Sequence, residues 1–140
     1  MRGQLDEAAA SFCEAIELDP TQWAPQFGLG NVLHAQGRLD EAEQCQRKAI
    51  QLNPRKAGPY WVLGRLLHKK GQEDEASACY LKTLELDSNY PYAHFFLGNI
   101  LKKQGKREEA LDHYRKALDL KPQTPKFESV IIELEGDIAP

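Results

Sequence analysis

The sequence predicts an all-α solenoid of stacked helix-turn-helix units, and three observations carry that prediction. The first is an internal repeat. Residues 57–90, AGPYWVLGRLLHKKGQEDEASACYLKTLELDSNY, recur at a spacing of 34 residues in both directions. Leu63-Gly64 matches Leu29-Gly30 and Leu97-Gly98. Leu67 matches Leu33 and Leu101, Gly71 matches Gly37 and Gly105, and Ala76 matches Ala42 and Ala110. A fixed period of this size marks units that stack side by side. The second is punctuation. Each unit holds a Gly between two helix-period runs and a Pro in the first turn of its first run, the order in which helices stop and start. The third is the lack of a competing class. The 140 residues suit one domain and carry a formal net charge of −3, whereas a general nucleic-acid binder is basic. No run approaches the roughly 18 apolar residues of a membrane span.

The repeated residues resemble the tetratricopeptide repeat (TPR) family. The pattern is Leu-Gly, a large apolar residue, Gly, Ala, an aromatic, Ala and Pro. The aromatic place holds Phe12, Tyr80 and Tyr114, the second small place Ala15, Ala49 and Ala117, and the Pro place Pro20, Pro54 and Pro122. Gln46 departs at the aromatic place, Thr83 at an Ala place and Ser88 at a Pro place. Gln26, Tyr60 and His94 stand where the family's first anchor is Trp. The resemblance implies a right-handed superhelix of seven to eight antiparallel helices. It divides the chain into the second half of a truncated repeat at 1–22, full units at 23–56, 57–90 and 91–124, and a capping helix and tail at 125–140.

The elements follow in order. Residues 4–18 form a helix with Asp6 and Glu7 in the first turn, at the positive end of its dipole. Ala8, Phe12 and Ala15 share one face. That face lacks the first helix of its unit, which reads either as a frayed repeat or as a cut inside a larger protein. It leaves an apolar edge open to self-association. Residues 23–36 and 39–52 form the first full hairpin. Pro25 falls in the first turn, where a missing N–H costs little. Gly37 closes the first helix, Asp40 and Glu41 open the second, and Pro54 bars continuation. Pro59, Gly71 and Glu73-Asp74-Glu75 repeat this order, as do Pro91, Gly105 and Glu108-Glu109. Gly30, Gly64 and Gly98 let the paired helices approach closely. Residues 125–140 break the pattern, since Ile132 stands where Gly is expected. One reading is a capping helix over 125–135 burying Phe127, Val130, Ile131 and Leu134. Another is a β-prone tail leading to a separate domain, because VIIEL is rich in β-branched residues. A third docks the tail, with Glu128, Glu133, Glu135 and Asp137, into the chain's own groove or a neighbour's.

No catalytic constellation is present: no phosphate loop, HExxH, Ser-centred elbow or CxxC. The expectation is a protein that is not an enzyme and holds neither cofactor nor metal. Cys13, Cys45 and Cys79 are widely spaced and read as reduced thiols in a cytoplasmic protein. His34 and His68 repeat at one place in adjacent units, without a Cys or carboxylate at ligand spacing.

The resemblance also assigns a binding wall. In TPR arrays the first helix of each unit lines the inner face. Its inward places here hold Phe27, Trp61 and Phe95; Asn31, Arg65 and Asn99; His34, His68 and Lys102; and Ala35, Lys69 and Lys103, with Tyr92 as a further aromatic. An aromatic stripe is therefore expected beside a polar ladder, with Phe96 turned into the packing. No Asp or Glu occurs in 23–36, 57–70 or 91–104, so the wall carries one sign of charge. The expected function is non-catalytic binding of a protein or peptide segment with apolar and acidic side chains. The alternative is the recruiting module of a larger enzyme, such as a glycosyltransferase or sulfotransferase. The chaperone-tail clamp of the family is not expected. Only Asn31 fits its Lys, Asn, Asn, Lys, Arg set, and Phe27, Val62, Tyr92 and Phe96 hold its other places.

Overall fold

In the computed structural model, residues 1–138 are described, and among them the secondary structure is eight α-helices with no strand. They are α1 (Arg2–Leu18), α2 (Trp23–Ala35), α3 (Leu39–Leu52), α4 (Ala57–Lys69), α5 (Glu73–Leu86), α6 (Pro91–Lys103), α7 (Arg107–Leu120) and α8 (Pro125–Ile138). Each helix packs on its neighbours in sequence, so α2–α3, α4–α5 and α6–α7 are hairpins stacked in a row.

Both kinds of turn are set by local chemistry. Within a hairpin the chain passes through Gly37, Gly71 or Gly105 at φ of 79° to 80°, a left-handed conformation that costs glycine little. The Gly37 N–H then bonds the His34 carbonyl at 3.0 Å and the Arg38 N–H bonds that of Leu33 at 2.9 Å, a Schellman closure. Between hairpins a side chain shapes the turn. Asp19 accepts from the Thr21 N–H, Asn53 from that of Arg55 and Asp87 from that of Asn89, at 3.0, 3.1 and 3.0 Å. These are Asx turns recurring at the repeat spacing.

The second helices are pinned through the small residues of the first. A Cβ on Gly64 would stand 2.7 Å from the Tyr80 ring. Gly98 meets Tyr114 in the same way, and Gly30 meets the Gln46 amide. Tyr80, Tyr114 and Gln46 are all fully buried. Gln46 substitutes poorly for an aromatic. Its Nε2 makes only long bonds, 3.3 Å to the Phe27 carbonyl and 3.4 Å to Asn31 Oδ1, and its buried Oε1 has no partner among the described residues. Thr83, at another departure, donates to the Cys79 carbonyl at 2.8 Å.

Polar clips join successive units near the glycine turns. Gln36 donates to Asp6 at 2.9 Å, Lys70 to Asp40 at 2.8 Å and Lys103 to Glu73 at 2.7 Å, each partner 30 residues upstream. Lys70 also reaches Glu43. These pairs are exposed, and hold by number rather than strength.

At one end, α1 contributes no buried residue. Phe12 is half-buried because its ring lies over Gly28 of α2. At the other end, 125–138 is helical, which corrects the β-prone reading. Fourteen residues starting at Pro125 bury Phe127, Ile131 and Leu134 against α7 and α6. Glu133 pairs with Lys102 at 3.1 Å and Glu135 with Arg115 at 2.7 Å. The side chain of Asp137 lies outside the described residues.

Candidate functional site

The first helices gather most of the expected wall residues into two adjoining hollows. A cavity of about 230 Å³ is lined by His34 of α2, Arg65, His68 and Lys69 of α4, Tyr80 of α5 and Phe96 of α6. Beside it, His68 and Phe96 are shared with Asn99, Lys102 and Lys103. His68 is held from two directions. Its Nδ1 lies 3.3 Å from the Tyr80 hydroxyl, and its ring stands edge-on to Phe96 with centroids 5.7 Å apart. Asn99 is fixed likewise, accepting from the Tyr114 hydroxyl at 2.7 Å.

The charges of the wall divide in two. Lys102 and Lys103 are paired with Glu133 and Glu73, so the basic rim expected there is largely neutralised. Arg65 and Lys69 have no ion-pair partner among the described residues. Arg65 lies over the Trp61 ring at 5.6 Å instead, a cation–π contact. The uncancelled field is felt by His34, whose pKa is held below the ordinary histidine range by burial and further by Lys69 and Arg65.

The aromatics are arranged differently from the expected stripe. Phe95 is 5% exposed, under Phe127 of α8 at 5.1 Å and beside Tyr114 at 5.8 Å. It is a core residue, and Phe96 is the one that reaches the wall. Side chains one position apart on a helix point about 100° apart, so with Phe95 turned toward Tyr114 and Phe127, Phe96 faces the wall. Trp61 stays half-buried, within 5.6–5.9 Å of Tyr80, Tyr90 and Phe96. Tyr92 packs on Phe127 at 5.2 Å under Lys121, and Phe27 packs on Trp23 and beneath Gly58. Asn31 is exposed. Phe27, Asn31, Trp61, Tyr92 and Phe95 thus line neither hollow, while Tyr80 and Phe96 are lining residues outside the expected set.

A second feature escaped the sequence reading. Between α5 and α7 lies a cleft of about 530 Å³ whose lining includes Leu81, Leu84, Leu120, His94 and His113. His94 and His113 meet Nδ1 to Nδ1 at 3.0 Å, so one ring donates and the other accepts. Burial, and then each other's charge and that of Lys116, pushes the His94 pKa down to about 4. His113 is likewise lowered, chiefly by burial. A signal for the pair existed: it spans 19 residues, the offset that joins Gln46 to Phe27 across the first hairpin.

Fold and wall together define a helical-repeat protein with a cationic, aromatic-edged face on its first helices. Family profiles assign it: "TPR repeat" matches residues 2–37, 30–71 and 64–105, and "Tetratricopeptide repeat" matches 91–123. The chain belongs to the tetratricopeptide repeat family. No curated protein sequence matches it. Among solved structures it is similar to MamA, with 22% identity and a TM-score of 0.84 over 97% of this chain and 80% of that one. It is also similar to YrrB, described as a TPR protein with an unusual peptide-binding site, with 26% identity and a TM-score of 0.77 over 89% of this chain and 64% of that one. A third is pilF of Pseudomonas aeruginosa, with 24% identity and a TM-score of 0.81 over 95% of this chain and 61% of that one. The chain thus spans less than two thirds of YrrB and pilF. No described helix is long and apolar enough to cross a membrane.

Proposed function

We propose that this chain is a non-catalytic scaffold that binds a protein segment carrying acidic and apolar side chains along its first helices. The observation that carries this reading is the pairing of charge with ring surface. Arg65 and Lys69 stand without acidic partners among the described residues, and no carboxylate lines the cavity they share with His34, His68 and Phe96. A wall of one sign draws partners of the other, and the half-buried Trp61 and Phe96 offer apolar anchorage beside it. The likeness to YrrB is consistent with a peptide ligand. In this reading the units run 23–56, 57–90 and 91–124, with α1 the second half of an earlier unit and α8 a cap. The side of α1 turned away from α2, a helix with no fully buried residue, is a surface for self-association. Three free cysteines suit a reducing, cytoplasmic setting.

The test uses a Trp23→Phe variant, which leaves Trp61 as the sole tryptophan. Synthetic peptides of one apolar pattern, made with either Glu or Lys between the apolar residues, are titrated into it. The Glu peptide should shift Trp61 emission, with affinity falling as salt rises. Equal binding of the Lys peptide, or silence from both, rules the reading out.

A further inference from the structure

The cavity at the centre of the wall is more specific than an acidic segment requires. Four nitrogen-bearing side chains from two helices face one hollow of about 230 Å³: His34, Arg65, His68 and Lys69. Two of them carry permanent charge and are not ion-paired. Lys70 is held by Asp40 and Glu43, Lys102 by Glu133 and Lys103 by Glu73. The chain therefore neutralises the cations around the hollow and leaves the two inside it bare.

The histidines are placed to add donors. The Tyr80 hydroxyl occupies Nδ1 of His68, which leaves Nε2 as the ring nitrogen free for another partner. His34 faces Arg65 and Lys69 of α4, and both disfavour its protonation. A doubly negative guest would reverse that balance. Glu73 of α5 is within electrostatic reach of His68 but is bound to Lys103. A single carboxylate has one charge and two oxygens for these four donors. A phosphate monoester has close to two charges and three terminal oxygens at neutral pH, and planar Arg with point-charged Lys suits it.

We propose that this cavity takes a phosphate monoester dianion borne on the bound protein segment, with Arg65 and Lys69 as the charge partners and the rings of His34 and His68 as N–H donors. The proposal rests on the protein-binding reading above and names the group recognised at its centre. Phe96 and Trp61 receive the apolar residues that flank the phosphorylated side chain.

The experiment titrates the whole chain with phenyl phosphate, benzoate and sulfate while following the histidine ring resonances by NMR. Phenyl phosphate should move His34 and His68, leave His94 and His113 in place, and bind about tenfold more tightly than benzoate. Its affinity should rise as pH falls from about 8 to about 7, because the guest offsets the Lys69 and Arg65 charges that disfavour His34 protonation while remaining mostly dianionic. Arg65→Gln, at an exposed position, should weaken it about tenfold, and Lys116→Gln on the far cleft should not. A degenerate phosphoserine peptide pool with apolar flanks should then outbind both phenyl phosphate and its unphosphorylated counterpart. Benzoate or sulfate binding as well as phenyl phosphate overturns the proposal, as does phenyl phosphate leaving His34 and His68 unmoved. A phosphopeptide pool no tighter than phenyl phosphate overturns the segment as the source. If the Glu peptide still moves Trp61 while phosphate does nothing, this inference falls and the scaffold reading stands. If neither binds, both fall.

Discussion

Trp61 and Phe96 stack across the boundary between two repeats, with ring centroids 5.9 Å apart and planes inclined by 19°. Tyr80 lies 5.8 Å from Phe96 and 5.6 Å from Trp61, so three rings from α4, α5 and α6 form one cluster. Phe96 is the member shared by the core and the wall. Phe96→Ala should cost about 2–3 kcal/mol, toward the lower end for a phenylalanine truncation because the ring is only half-buried. Urea unfolding gives the magnitude. Trp61 emission in the folded variant should move to the red as its stacking partner is lost.

Gln46 is a weak place in the first hairpin, with one buried amide oxygen unpartnered and two long bonds. Tyr114 shows what the position accommodates, since its hydroxyl reaches Asn99, 15 residues upstream. Asn31 lies at the same offset from Gln46. Gln46→Tyr should therefore stabilise the chain by about 1–2 kcal/mol, adding buried ring area and a better hydrogen bond. A higher urea midpoint at unchanged slope is the expected result.

The His94–His113 pair makes stability depend on pH. In the unfolded chain each imidazole takes up a proton near pH 6.5, while the folded pair resists, His94 down to about 4. The unfolded state thus binds more protons in that window, and stability falls as pH is lowered from about 6.5 to about 4. His113→Asn should flatten this slope by roughly one proton and leave the midpoint above about pH 7 little changed. The groups facing the pair, Lys116, Asp112 and Glu109, remain in both proteins, so the difference isolates the histidines.

Phe127 is fully buried and covers Phe95. Phe127→Ala should cost about 3–5 kcal/mol and release α8 before the rest of the array. Limited proteolysis should cut within 125–138 first, and a dye that binds apolar surface should report the uncovered Phe95.

What was legible in the sequence follows from what repeats. Each hairpin helix is fixed by residues recurring at 34, and the glycines that meet Tyr80 and Tyr114 carry that period plainly. Local chemistry of the kind at Asp19, Asn53 and Asp87 recurs too, and could have been read. The wall was legible where the first helices line it directly: His34 of α2 and Arg65, His68 and Lys69 of α4, inward places by the family resemblance, share one cavity. Phe95 and Phe96 stand the other way round from the expectation: Phe95 turns toward Tyr114 and Phe127, and Phe127 belongs to α8, which breaks the repeat and offers no period to read. The salt bridges of Lys102 and Lys103 depend on acids 31 residues downstream and 30 upstream. Counting charge helix by helix does not reveal them.

The clips 30 residues apart give the stack two unlike margins. Near the glycine turns the units are fastened by exposed charges at Lys70 and Lys103. At the opposite helix ends, ring contacts such as Trp61 with Tyr90 and Tyr92 with Phe127 do the fastening. Dissolved ions weaken the first kind of contact and leave the second almost untouched. Rising salt therefore loosens the clips of one margin, and there Leu33, Leu66, Leu67 and Ile100, buried beneath them, hold the units together. A guest lying along the first helices would meet ionic strength as a weakening of its own charge contacts, on a frame whose apolar seams salt leaves in place.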